Sequence, residues 1–200
     1  PKGVGGYIDL TGPRRPTYIY GLRFERGRGS EHSPELGWGT KTRGYFKYMP
    51  VDNLSFSLMH QHADENRWLN WFNDNLLATF HRKQRTSIVE MEWFHNNVHE
   101  LRIKAQMVAF TGRDPQALLG DLSGNLKPEI IDIAPITISE LAFQVRYRYE
   151  IMPLSYLYIV YSKGGRVSMQ DDEDGLFSLY RRPWNSPEKE NFTVKLRYRF

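Results

Sequence analysis

Glu90, Glu92 and Glu100 are clustered acids that fall on strand-like segments of this chain, and Arg102 and Lys104 follow at once. A carboxylate pair meeting in space can act as general acid and base. The same five residues can instead pair as ions, and that is the expectation here. Other arrangements fail on spacing. His99-Glu100 begins like a helical zinc-protease pattern, but the second His should stand at Ile103, which lies on an expected strand. Gly120-Asp121-Leu122-Ser123-Gly124 has its Ser in the wrong place for a nucleophile elbow and reads as a loop of turn formers. Asp171-Asp172-Glu173-Asp174-Gly175 offers clustered oxygens for calcium. The helix-loop-helix pattern nevertheless breaks at Gln170, and Arg181 occupies the position of its bidentate Glu. A solvated acidic loop is expected there. No metal site and no cofactor are expected.

The elements that carry these residues are legible from period two. Phe192, Val194, Leu196, Tyr198 and Phe200 alternate with Thr193, Lys195, Arg197 and Arg199. Leu141, Phe143, Val145, Tyr147, Tyr149 and Ile151 alternate with Gln144, Arg146, Arg148 and Glu150, and Leu101, Ile103, Ala105 and Met107 alternate with Glu100, Arg102, Lys104 and Gln106. Each such run is a strand with one apolar and one charged face. Nine strands are predicted, at about 5–11, 16–27, 38–49, 54–67, 75–94, 98–110, 139–151, 154–164 and 190–200. Short connections at 12–15, 50–53, 95–97 and 152–153 alternate with longer ones at about 28–37, 68–74, 111–138 and 165–189. Outer-membrane barrels place short turns at one rim and long loops at the other in this way. Several strands also exceed the soluble mode of ~5–6 residues and reach the ~9–11 that cross a bilayer at a tilt.

The expected fold is therefore all-β, an antiparallel transmembrane barrel of which residues 1–200 form the C-terminal part. Its lumen-facing set is Glu90, Glu92, Glu100, Arg102, Lys104, Gln144, Arg146, Arg148, Glu150, Lys195, Arg197 and Arg199. A three-residue turn at His95-Asn96-Asn97 would set Glu92 opposite Glu100 and Glu90 opposite Arg102. A two-residue turn at Met152-Pro153 would set Tyr149 opposite Tyr156 and Tyr147 opposite Tyr158, part of a lipid-facing aromatic girdle with Tyr198 and Phe200. Arg146 and Arg148 would then point inward beside Ile159 and Leu157.

Composition bounds the rest. Aromatic residues make up 14% of the chain, which favours strands. There is no Cys, so neither a disulfide framework nor a Cys-based zinc site can form. The formal charge of +4 is spread among nearly as many acids, so a nucleic-acid partner is not expected. No apolar run approaches the ~18 residues of a membrane helix. Pro1 opens the chain without Met or signal peptide, which implies a processed product or a fragment. An odd count of nine strands points the same way, with an unpaired edge at 5–11 that other strands must close.

The blocks Trp93-Phe94, His99 to Gln106, Phe143 to Glu150, Pro153 to Gly165 and Val194 to Phe200 together resemble the C-terminal region of a bacterial family of unknown function. In that family a carbohydrate-binding domain of the family-nine-like type precedes this region. The resemblance is strongest over about the last 110 residues and rests on the order and spacing of the blocks. It implies an outer-membrane barrel and brings no catalytic residue. The carbohydrate-binding domain is not in this chain, so sugar binding transfers to no residue here. The terminal Phe200, closing an alternating strand, resembles the signal read by the bacterial barrel-insertion machinery.

The expected role is transport, conduction or surface anchoring in the outer membrane of a Gram-negative bacterium, with lipid, lipopolysaccharide and other envelope proteins as partners. Mixed charges on neighbouring strands favour an ion-paired filling over an open selective pore. Two other classes remain: an envelope hydrolase of glycans or lipids with its site upstream or at the barrel mouth, and a soluble antiparallel β protein whose charged face is simply wet.

Overall fold

A computed structural model of the chain describes residues 4–13, 15–28, 37–96, 98–169 and 176–199. Phe200 and the acidic run Asp171-Asp172-Glu173-Asp174 lie outside the described residues. The expected all-β fold is present as a single antiparallel sheet. Its strands are β1 (Val4–Thr11), β2 (Tyr18–Arg28), β3 (Trp38–Val51), β4 (Leu54–Asn73), β5 (Leu76–His95), β6 (His99–Gly120), β7 (Leu126–Pro128), β8 (Ile136–Met152), β9 (Ser155–Met169) and β10 (Lys189–Arg197), with one helix, α1 (Leu176–Asn185), before β10. Nine of them form an unbroken path in chain order, and the short β7 pairs with β6 alone. The path stays open, since β1 pairs with β2 and β10 with β9 but not with each other.

Residues directly opposite in an antiparallel ladder share a face, so the registers extend each strand's alternation across the whole sheet. One row reads Tyr18, Tyr48, Phe56, Met91, Ile103, Val145, Tyr161, Phe192, from β2 to β10. A neighbouring row, on the other face, reads Lys47, Ser57, Glu90, Lys104, Gln144, Ser162, Asn191. The apolar face is largely uncovered: Phe192 is 69% exposed, Ile8 61% and Leu58 47%. Its apolar positions form an oblique band. On β1 they are Ile8 and Leu10, in the rows of His62 and His60, whereas on β10 they are Val194 and Leu196, in the rows of Tyr147 and Tyr149.

The sheet corrects the expected connections at several points. Residues 68–74, read as a long loop, continue β4 and turn into β5 through Asp74-Asn75 alone, with Asp74 at φ 39°. Aromatic packing overrides the turn-forming residues there: Trp68 and Phe72 contact Phe80, and Trp68 meets the Phe110 ring edge-on at 5.3 Å. Phe80 is 1% exposed and anchors the small core at this end of the sheet. Strand β6 runs on past 110, and its Pro115 falls where the β5 register shifts between Thr79 and His81. A bulge tolerates the missing N–H. Only three of the four connections expected to be long are so.

Helix α1, also unexpected, lies on the apolar face. Its Leu179 is 2% exposed, and Trp184 meets Phe143 edge-on at 5.3 Å. Pro183 has no N–H to give the carbonyl four residues back. That carbonyl, Leu179 O, accepts the hydroxyl of buried Ser139 instead.

Candidate functional site

The charged face brings together nearly every residue expected to line a lumen. Near the β5–β6 turn, Glu100 lies between Arg102 (Nε to Oε1, 2.5 Å) and Arg148 (Nε to Oε2, 3.0 Å), with its own side chain only 6% exposed. Arg102 also reaches Glu92 at 3.6 Å. Lys104 contacts Glu90 at 2.6 Å, and Ser57 Oγ donates to the other oxygen of Glu90 at 3.3 Å.

These pairs depend on a register two residues away from the expected one. Glu92 stands opposite Arg102 and Glu90 opposite Lys104, because the ladder continues until His95 pairs with His99. Ring contacts extend the ladder to that point: His95 and His99 lie 6.1 Å apart, His99 stacks on Tyr149 at 4.9 Å, and His99 Nδ1 lies 2.6 Å from the Tyr147 hydroxyl. The expected register would have set two carboxylates against each other, which is destabilising. The observed one sets Glu92 against Arg102 and Glu90 against Lys104, and Glu100 meets Arg148 across the β6–β8 ladder.

The β8–β9 turn brings a larger correction. Tyr156 and Tyr158, expected on the lipid side with Tyr147 and Tyr149, stand on the charged face. The turn is Pro153-Leu154, and the register shifts between Glu150 and Met152, leaving Ile151 as one extra residue. One residue of slip exchanges the faces of a strand. Tyr156 therefore lies opposite Glu150 and Tyr158 opposite Arg148, while Arg146 neighbours Val160 rather than Ile159. The guanidinium of Arg148 sits 5.3 Å from the Tyr156 ring centre and that of Arg146 5.8 Å from Tyr158. Gln144, Glu150, Lys195 and Arg197 share this face as expected. Tyr198 and Arg199 follow the last ladder pair, and Arg199 N donates to Ser155 Oγ at 3.0 Å.

A second network, not predicted, lies on the same face at the far end of β1 to β5. Glu65 holds Arg82 at 2.9 Å and Lys41 at 3.1 Å, Arg23 holds Glu25 at 2.5 Å, and Arg82 lies over the rings of Trp68 and Phe110. A groove of about 390 Å3 opens here, lined by Tyr7, Arg23, Glu25, Lys41, Glu65 and Trp68 among others. Its signal was available in Leu22-Arg23-Phe24-Glu25, where acid and base alternate with apolar residues. Arg43, Lys47, Lys195 and Arg197 have no carboxylate at ion-pair distance among the described residues.

Chemically, this surface is a matrix of fixed ion pairs interspersed with cations that have no carboxylate at ion-pair distance among the described residues. Glu90, Glu92 and Glu100 are each in an ion pair with a cation. Beyond β6, Asp121 accepts the amides of Ser123 (2.9 Å) and Asn125 (2.8 Å). Those bonds make the Gly120–Gly124 segment a side-chain-closed turn, as its composition indicated. Among the described residues no group of three or more acids, His or Cys is placed to hold a metal.

No family model matches the sequence, and comparisons with curated proteins and with solved structures find no match.

Proposed function

We propose that this chain forms an arc of the wall of a bacterial outer-membrane β-barrel, with the charged face lining the lumen and the apolar face against lipid. The observation that carries the reading is the exposed apolar band running obliquely across the register. Barrel strands tilt by about 35–45°, so a band parallel to the membrane must cross the rows at a slant. In water the same band would be a contiguous apolar patch of the kind soluble monomers avoid. Strands of 14 to 22 residues in β3 to β6 are also longer than a soluble sheet needs.

The lumenal wall then serves passage or anchoring rather than catalysis. Ion pairs on neighbouring strands stiffen it, and the uncompensated cations Arg43, Lys47, Lys195 and Arg197 bias it toward anions. The family resemblance in the C-terminal blocks points the same way.

The test uses the absence of native Cys. Single Cys residues at Phe56, Ile103 and Val194, and at Ser57, Lys104 and Thr193, carry a fluorophore in protein reconstituted into vesicles containing bromolipids. The first three labels are expected to be quenched and the second three spared. Equal quenching on both faces, or none on either, overturns the reading.

A further inference from the structure

The two margins of the apolar band differ in charge. At the margin near the short turns, the strand positions on this face carry rings and aliphatic groups: Trp93, His95, His99, Tyr149, Leu157 and Leu196. None of these is Lys or Arg. At the opposite margin the same face carries Arg26 and Arg28 on β2, Lys83 and Arg85 on β5, and Lys163 on β9, with Arg181 on the helix that lies over the band there. Arg26, Arg28, Lys83 and Arg181 are exposed.

Two exposed indoles sit among these cations. Trp38 is 45% exposed beneath Arg26 and Arg28, 5.2 and 5.6 Å from its ring, and Trp184 is 43% exposed with Lys163 Nζ 4.9 Å away. An indole beside a cation suits a membrane surface, where the ring takes the interface and the charge the headgroups. Among the described residues, Asp64 stands opposite Lys83 and lies 2.7 Å from His81, and Glu190 stands opposite Lys163 and accepts the Tyr161 hydroxyl at 2.6 Å. The cations follow the slant of the band, from beyond Phe24 on β2 to Lys163, two residues beyond Tyr161, on β9.

We infer that this cationic margin binds the phosphates of a phosphorylated lipid in one leaflet only, lipid A-type phosphates beside acyl chains. The inference rests on the barrel reading and adds to it the partner, the residues and the orientation: the end bearing the β4–β5 turn and α1 faces the phosphate-rich leaflet. Among the described residues, Lys83, Arg85 and Lys163 are in no ion pair with either charge network of the lumen, whereas Arg26 and Arg28 also line the groove that opens beside the second one.

The test begins with full-length chain in phosphatidylcholine vesicles, where protease protection reports insertion. Inserted protein is then titrated with bisphosphorylated lipid A, with the same lipid stripped of phosphate, and with inorganic phosphate. Expected results are at least ten-fold tighter binding of the phosphorylated lipid than of the stripped one, and no displacement by inorganic phosphate. Lys83→Glu with Arg85→Glu, and separately Arg26→Glu with Arg28→Glu, should each remove most of that preference, whereas Lys195→Glu on the other face should keep it. Failure to insert overturns the barrel reading. Insertion without a phosphate preference overturns the lipid inference alone, and the lipid comparison needs no variant to decide it. Displacement by inorganic phosphate would assign the margin to free anions instead.

Discussion

Glu100 shows how much one side chain can depend on its surroundings. Held by Arg102 and Arg148 and nearly enclosed, it cannot be removed without leaving two guanidiniums facing each other. Breaking a buried pair costs about 3–5 kcal/mol, and because Arg102 is half exposed the cost of Glu100→Ala belongs at the low end. Glu92→Ala, whose pair with Arg102 is exposed at 3.6 Å, should cost under about 1 kcal/mol. Urea unfolding of reconstituted protein, followed by Trp fluorescence, measures both; equal losses would show that enclosure is not what matters at Glu100. Asp121, outside the strands, answers to pH. Hydrogen bonds from the Asn125 amide, then its side chain, then Ser123, hold its carboxyl below the ordinary Asp range. A depressed value means that this turn gains stability from the ionised form above the unfolded pKa and loses it as pH falls through the folded one. The Ser123 and Asn125 amide shifts, followed in acid, should therefore titrate below the usual Asp value. A midpoint at or above it would contradict the bonding.

At the scale of elements, pairing between a glycine and a ring fixes β2 on β3. A Cβ built on Gly21 would lie 2.4 Å from the ring of Tyr45, directly across the ladder. Gly21→Val must displace that ring, and overpacking of this kind costs about 1–3 kcal/mol. The same measurement on Gly44→Val, where the nearest atom is Leu22 Cδ1 at 3.9 Å, should show much less; a reversed order would mean the register is wrong. On the two faces of β10, Val194→Arg places a charge on the apolar side at about 2–4 kcal/mol near a bilayer midplane, and Thr193→Arg should be milder. Folding yields in vesicles separate them, and equal defects would reject the face assignment. Most of this was readable in the chain: alternation located every full-length strand. What was not readable has physical causes. The extra residue at Ile151 looks like any strand residue, yet it decides the parity of all of β9 and hence the place of Tyr156 and Tyr158. Asn70, Asn73, Asp74 and Asn75 spell a loop locally, and contacts of Trp68 and Phe72 with Phe80 and of Trp68 with Phe110 carry β4 on to Asn73, leaving Asp74-Asn75 as the turn. Pro183 within α1 and Pro187 just after it hide a helix that needs Ser139 and Phe143 beneath it.

For the whole molecule, the two free edges set the terms. Every residue of β1 and β10 is exposed, and in lipid an unpaired strand edge leaves N–H and C=O groups unsatisfied at several kcal/mol each. Under the barrel reading both edges bond to further strands, of a longer chain or another copy. Single Cys residues at Ile8 and Val194 in the folded full chain should therefore fail to form a disulfide with each other; efficient closure would mean that these strands seal a small barrel by themselves. Sidedness follows from the turns: an epitope at Asp74-Asn75 should react with an impermeant reagent on intact cells and one at Asn96 should not, and equal labelling would reject the orientation. The β4–β5 hairpin has a further effect. Each of its strands has 20 residues, about 65 Å of extended chain at ~3.3 Å per residue, of which a tilted bilayer crossing uses about half. Under the barrel reading the remainder, braced by β6 and the rings around Phe80, would stand above the lipid as a stiff post ending in a two-residue tip. A solute diffusing toward the opening would meet a fixed rampart over β4 to β6 and lower ground over β1 and β10. Its route in would thereby be funnelled from one side.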